Sequence, residues 1–256
     1  MTSQSWQAKL TQAETPPPWG IATAIGLILG YLVVLNVVGF VAMIASALFT
    51  PFAMASEENL VKIVSTGQFI AITNGAGHLA ALGMIYWVVN RAARRQASFF
   101  ALVGLESVSL SWLGVAAGGA ALLVVLTELV ALLPGASPVP WLYTTTILFT
   151  SPWDWIALAV HLVLIAPLVE EVLHRGVFYP AVAARYGVWA GMAASIVVYG
   201  ALHLMTYGGD WAALLRAFAA GMLYTFLRAA SKSTWPGIVA FTLSSAYLLA
   251  RTMSLL

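Results

Sequence analysis

The run Leu168-Val169-Glu170-Glu171-Val172-Leu173-His174-Arg175 sets two carboxylates side by side in a strongly apolar stretch, with an imidazole and a guanidinium one turn later. Adjacent helical residues differ by about 100° around the axis, so Glu170 and Glu171 cannot serve the same neighbour. Glu171 precedes Arg175 at the i, i+4 spacing where an acid and a following base pair favourably. Glu170 points elsewhere, and a carboxylate in a site of low dielectric is suited to act as a general base. His203 lies in another apolar run, Ile196-Val197-Val198-Tyr199-Gly200-Ala201-Leu202-His203, where lipid packing has no use for an imidazole. The chemistry open to such a pair is hydrolysis of a resistant bond such as a peptide. Glu170 and His203 would hold and deprotonate a water while other groups stabilise the charge growing on the carbonyl oxygen. The plain alternative is a helix end at the membrane interface carrying an ordinary Glu171–Arg175 salt bridge, with His203 as a packing residue.

Other hydrolytic chemistries find less support. There is no cysteine, hence no thiolate nucleophile, disulfide or thiolate metal site. Neither Ser-x-x-Lys nor Gly-x-Ser-x-Gly occurs to present a serine nucleophile. His-Glu-x-x-His is absent too, and the ligand count for zinc is poor. No cofactor is expected, with a divalent metal left open.

These side chains must be carried by membrane helices. Of 256 residues, 61% are hydrophobic and 8% charged, against about 25% charged in soluble domains. A crossing helix needs roughly 20 apolar residues. The pattern predicts an all-α polytopic membrane bundle of seven to eight transmembrane helices. A polar tail (1–20) precedes a single membrane domain (21–256). The predicted spans are Ile21 to Phe49, Gln68 to Asn90, Ser111 to Leu133, a fourth opening at Ser151-Pro152-Trp153-Asp154 and running to Arg175, Val188 to Met205, Trp211 to Arg228, and Trp235 to Leu255. Between the fourth and fifth, Gly176 to Gly187 reads as a short link. Ala97 to Leu110 reads as an interfacial or re-entrant helix that would raise the count to eight. Pro134, Gly135, Pro138 and Pro140 break the chain after the third span. Arg91, Arg94 and Arg95, with Arg175, Arg185, Arg228 and Lys232, place the N-terminus on the cytoplasmic side of a cell membrane by the positive-inside rule. The net charge of +2 includes no basic run able to neutralise several phosphates. The expected partners are the lipid bilayer and a membrane-delivered peptide or protein, not nucleic acid.

An ionisable group within a span is a functional candidate by default. Beside the residues above, His78, Glu128 and His161 qualify, each either lining a cavity or bonding helix to helix. A proton-relaying transporter using Glu170 and Glu171 is a third reading, but the carboxylates read as lying at a helix end and no inverted repeat is present.

Ala166-Pro167-Leu168-Val169-Glu170-Glu171-Val172-Leu173-His174-Arg175-Gly176 resembles the first motif of the CAAX prenyl protease and bacteriocin-processing family of glutamic-type intramembrane proteases. Tyr199-xxx-His203 is similar to its second motif, and Trp235-Pro236-Gly237 also resembles the family, over about residues 153–256. The resemblance implies an all-helical membrane fold and hydrolysis of a peptide bond near the cytoplasmic face. It implies Glu170 and His203 acting on water, Glu171 and Arg175 as a supporting pair, and Tyr199 close to them. It further implies a His, with an Asn four residues on, stabilising the oxyanion from the last helix, where this chain has Phe241 and Ser245. Loss of one oxyanion donor typically costs about 10²- to 10³-fold in rate. Ser244, Ser245 and Thr242 are the hydroxyls left to donate. His174, about 40° from Glu170 around the helix, could return an imidazole to the site. A catalytically impaired relative that binds a membrane protein in an immunity or regulatory role is the second reading.

Overall fold

The computed structural model describes residues 6–49, 57–94, 97–139, 149 and 151–255; Arg95 and Pro140 lie outside them. The described chain is helical throughout: α1 (Trp6–Thr11), α2 (Ile21–Phe49), α3 (Glu57–Val64), α4 (Gly67–Ala92), α5 (Phe99–Leu102), α6 (Leu110–Ala131), α7 (Pro152–Tyr186), α8 (Val188–Tyr207), α9 (Trp211–Ser231) and α10 (Trp235–Met253). Six of them, α2, α4, α6, α7, α8 and α9, are long and apolar enough to cross a membrane. The chain is a multi-pass membrane protein. α10 is 19 residues long but carries Ser244, Ser245, Tyr247 and Arg251, and is not among those six. The stretch expected to form an interfacial or re-entrant eighth helix forms only the four-residue α5, closed by Gly104 at φ 72°. The Gly104 carbonyl accepts from Thr234 N–H at 2.8 Å, and the Val103 carbonyl accepts from Thr234 Oγ1 at 2.6 Å. α5 thereby docks on the α9–α10 turn.

α7 is one continuous 35-residue helix, so the expected link from Gly176 is absent and the first break falls at Gly187, at φ 89°. Glu170 and Glu171 therefore sit near the middle of a helix rather than at its end. The glycine at 176 answers a close approach and not a turn: a Cβ there would stand 2.9 Å from the Val103 carbonyl oxygen. The helix passes Pro167 and Pro180 by widening, with π-helical turns at Val160–Ile165 and Val172–Phe178. After the second, Tyr179 N–H bonds the His174 carbonyl, five residues back. Pro180 has no N–H for the next carbonyl, that of Arg175, and Arg228 Nε supplies one from 3.2 Å.

Asp154 joins the starts of α7 and α4, accepting Ser151 N–H and Gln68 N–H at 2.8 Å each. Gly67 makes room, since a Cβ on it would meet Asp154 Cβ at 2.8 Å. α4 and α7 thus begin on the same side of the bundle. The largest apolar core lies among α2, α4 and α7, around Leu27, Ile28, Ile85, Val89, Val169 and Leu173. A second lies among α6, α9 and α10, around Ala116, Ala120, Leu227 and Ala240. Exposed Leu29, Val33, Val37, Phe40, Leu122, Val197 and Leu204 give the bundle an apolar outer surface, as expected where lipid replaces water. Arg175, by contrast, is wholly buried, so it cannot count as a loop charge in reading orientation.

Candidate active site

Glu171 and Arg175 form one locked unit. Arg175 Nη1 lies 2.8 Å from Glu171 Oε1, and neither side chain is exposed at all. The guanidinium also donates to Thr225 Oγ1 at 3.3 Å and the Gly221 carbonyl at 3.2 Å. Its carbon stands 4.4 Å from the ring centre of Tyr199 and 5.5 Å from that of Tyr224. One ion pair at mid-helix thus ties α7 to α8 and α9, with every face of the cation used. The second Glu171 oxygen abuts Gly237, where any Cβ would collide with it. The glycine of Trp235-Pro236-Gly237 is there for that carboxylate.

Glu170, turned away from this pair, borders two cavities. The smaller, about 130 Å³, opens toward α6, α9 and α10, and the larger, about 390 Å³, toward α2 and α4. Both are lined by Leu162, Glu170, His203 and Tyr207. Either has room for several waters. The orientation of His203 is fixed from its own helix. Its Nδ1 lies 2.9 Å from the Tyr199 carbonyl, which can only accept, so Nδ1 carries a proton and the lone pair of the neutral ring is on Nε2. Its ring lies 4.2 Å from that of Tyr199. Tyr199 is therefore sandwiched between the ion pair and the histidine.

His174 makes the corresponding bond to the Glu170 carbonyl at 2.9 Å. Its Nε2 is buried without a hydrogen-bond partner, and the residue lines the larger cavity. Ser244 and Ser245 line the smaller one, along with Phe241. The Ser244 hydroxyl is already engaged, 2.7 Å from Tyr224 Oη and 3.0 Å from the Phe241 carbonyl. Phe241 stacks on Tyr224 with ring centres 5.2 Å apart. Thr242 lines neither cavity; its hydroxyl donates to the Val163 carbonyl at 2.9 Å.

His78 and His161 both reach the larger cavity, whereas Glu128 does not. Glu128 accepts from Tyr247 and from Arg251 Nε at 3.3 Å, pairing α6 with α10. His78 Nε2 lies 3.6 Å from Glu170 Oε1 and 3.0 Å from Tyr31 Oη. Its Nδ1 lies 2.8 Å from the Asn74 carbonyl and 3.4 Å from His161 Nε2. Tyr31 is the site residue that the sequence does not single out, because a tyrosine within a first span carries no signal until its partner is known. Among the described residues no three His, Cys, Asp or Glu are arranged to hold a metal ion.

Residues 152–247 match the family model described as Rce1-like, type II CAAX prenyl endopeptidase. No curated protein and no solved structure matches the chain. The matched segment begins with α7 and ends within α10, so it contains Glu170, Glu171, Arg175, Tyr199, His203 and the Phe241–Ser245 stretch, while His78 and Tyr31 lie outside it. Residues 152–247 of this multi-pass membrane protein are thus similar to the Rce1-like family of type II CAAX prenyl endopeptidases.

Proposed function

We propose that this chain is an intramembrane endopeptidase of glutamic type, which hydrolyses a peptide bond in a membrane-delivered peptide or protein near the cytoplasmic face. Glu170 takes a proton from a water that His203 Nε2 helps to hold, and that water attacks the scissile carbonyl. When the carbon–nitrogen bond breaks, the departing nitrogen takes the proton back from Glu170. Glu171, Arg175 and Tyr199 hold the two reacting helices in register without touching the water. The reaction needs no cofactor, and the N-terminus faces the cytoplasm of a cell membrane.

The observation that carries this reading is that Glu170 and His203, from different helices, border the same two water-sized spaces, within a segment that matches an endopeptidase family. A transporter is less well supported, because Glu171 Oε1 is held by Arg175 and Oε2 lies against Gly237. The reading as a binding protein that has lost catalysis has one observation in its favour, the aromatic side chain of Phe241 at the smaller cavity.

The test is turnover by the purified protein in phospholipid nanodiscs, using an internally quenched peptide with a farnesylated cysteine near its C-terminus. Glu170→Gln and His203→Ala are expected to lower kcat at least about 10²-fold while folding as the wild type does. Undiminished cleavage by either variant would rule the assignment out.

A further inference from the structure

Attack on a carbonyl places negative charge on its oxygen, and donors aimed at that oxygen supply much of the rate of such reactions. On the α10 side of Glu170 the candidates are poor. Phe241 has no donor and Ser244 is engaged with Tyr224 and the Phe241 carbonyl, which leaves the one hydroxyl of Ser245 on that wall. The α2 and α4 side is different. There His78 and Tyr31 are both buried and line the larger cavity that Glu170 and His203 share, and His78 adjoins Glu170.

The hydrogen bonding of His78 fixes what it can do. The Asn74 carbonyl at 2.8 Å only accepts, so Nδ1 carries a proton in either charge state. Nε2 then faces Tyr31 Oη at 3.0 Å and Glu170 Oε1 at 3.6 Å. With Nε2 unprotonated, the Tyr31 hydroxyl spends its one hydrogen on it. With Nε2 protonated beside the Glu170 carboxylate, Tyr31 accepts from Nε2 and its own O–H is released to the cavity. His161, with Nε2 at 3.4 Å from His78 Nδ1, backs the ring from behind.

We propose that Tyr31 is a catalytic residue whose hydroxyl donates a hydrogen bond to the substrate carbonyl oxygen, with His78 as the positioning residue that frees and aligns it, so that α2 and α4 supply what Phe241 does not supply from α10. The proposal rests on the hydrolytic reading of Glu170 and His203. As water adds, one of its O–H bonds breaks toward Glu170 and a C–O bond forms. The carbonyl π pair moves to oxygen, where the Tyr31 O–H, aligned by His78 Nε2–H, meets it. Collapse of that oxyanion expels the amine, which takes its proton from Glu170.

The experiment uses the full chain in nanodiscs and the same farnesylated peptide. Wild type is expected to turn it over, and His78→Ala to lose about 10²- to 10³-fold in kcat with KM changed only a few-fold. Adding Phe241→His to His78→Ala is expected to restore at least tenfold, because residue 241 borders Glu170 and His203 from the opposite cavity; a purely structural loss would not recover. Should His78→Ala fail to fold, Tyr31→Phe, which removes one hydroxyl, carries the same expectation for kcat. The proposal is overturned, with the hydrolytic reading intact, if His78→Ala or Tyr31→Phe keeps wild-type kcat while Glu170→Gln is inert. It is likewise overturned if Phe241→His fails to rescue, or if the wild type is inert and Phe241→His with Ser245→Asn becomes active. If that double variant is inert as well, the hydrolytic reading fails and this proposal with it.

Discussion

The hydroxyl of Thr242, on α10, lies 2.9 Å from the Val163 carbonyl oxygen on α7, and Val163 is the residue four positions before Pro167. Proline has no N–H, so the carbonyls of the widened turn before it lack one backbone donor, and a side chain from another helix supplies a donor there. Thr242→Val keeps the shape and removes the donor, and a buried carbonyl left unpaired costs about 1–3 kcal/mol. Thermal unfolding in detergent should show Thr242→Val destabilised and Thr242→Ser close to wild type. Equal stability of the two would show that the bond contributes nothing.

The Glu171–Arg175 pair is buried on every side. Replacing Arg175 with Met leaves a carboxylate uncompensated in the core, at a cost of about 3–5 kcal/mol. Adding Glu171→Leu removes the stranded charge and should recover a large part of that loss. A double variant no more stable than Arg175→Met alone would mean that packing, not charge, holds the two helices.

Gly237 and Gly83 offer a controlled comparison. A Cβ at 237 would collide with the Glu171 carboxylate, whereas one at 83 meets nothing within 4 Å. Gly237→Ala should therefore destabilise by about 1–3 kcal/mol through overpacking. It should also lower turnover, since the group displaced is the partner of Arg175. Gly83→Ala should lower neither, and similar damage from both would point to glycine as such rather than to the contact.

One carboxylate gathers three side chains onto the N-terminal segment. Glu14 Oε1 lies 2.8 Å from Lys232 Nζ, 3.6 Å from Arg228 Nη1 and 3.2 Å from Tyr179 Oη. Glu14→Ala should free the tail, so limited proteolysis should clip ahead of Trp19 sooner while α2 to α10 stay intact. High salt should weaken the wild-type clamp in the same direction. An unchanged cleavage rate would mean that Leu10, buried against Tyr179 and Ala183, is the stronger anchor.

The helices of the bundle can be read from the sequence because long runs without charge have few other uses, and α2 begins and ends where the apolar run does. The interior of α7 cannot be read that way. Gly176 looks like a break, but its missing side chain admits the Val103 carbonyl, and Pro167 looks like a stop until Thr242 is seen to serve Val163. Glu170 and His203 stand out because ionisable groups are costly in lipid. His78 stands out for the same reason, but its companion Tyr31 on α2 does not, since their contact spans 47 residues and no local pattern encodes it. Phe241 is legible as a departure from a motif, but what faces it across Glu170 is a matter of tertiary packing alone.

The two π-helical turns that flank residues 166–171 act on the phase of α7. Each widened turn takes up residues without the corresponding rotation, so the block bearing Glu170 and Glu171 is set in azimuth independently of either end of the helix. Dropping one residue from 160–165 would close that widened turn to an α turn and leave the block facing as it does, whereas the same loss from a regular stretch of α7 would turn it by about 100°. Which carboxylate meets the cavity and which meets Arg175 is therefore buffered by stretches that contain neither.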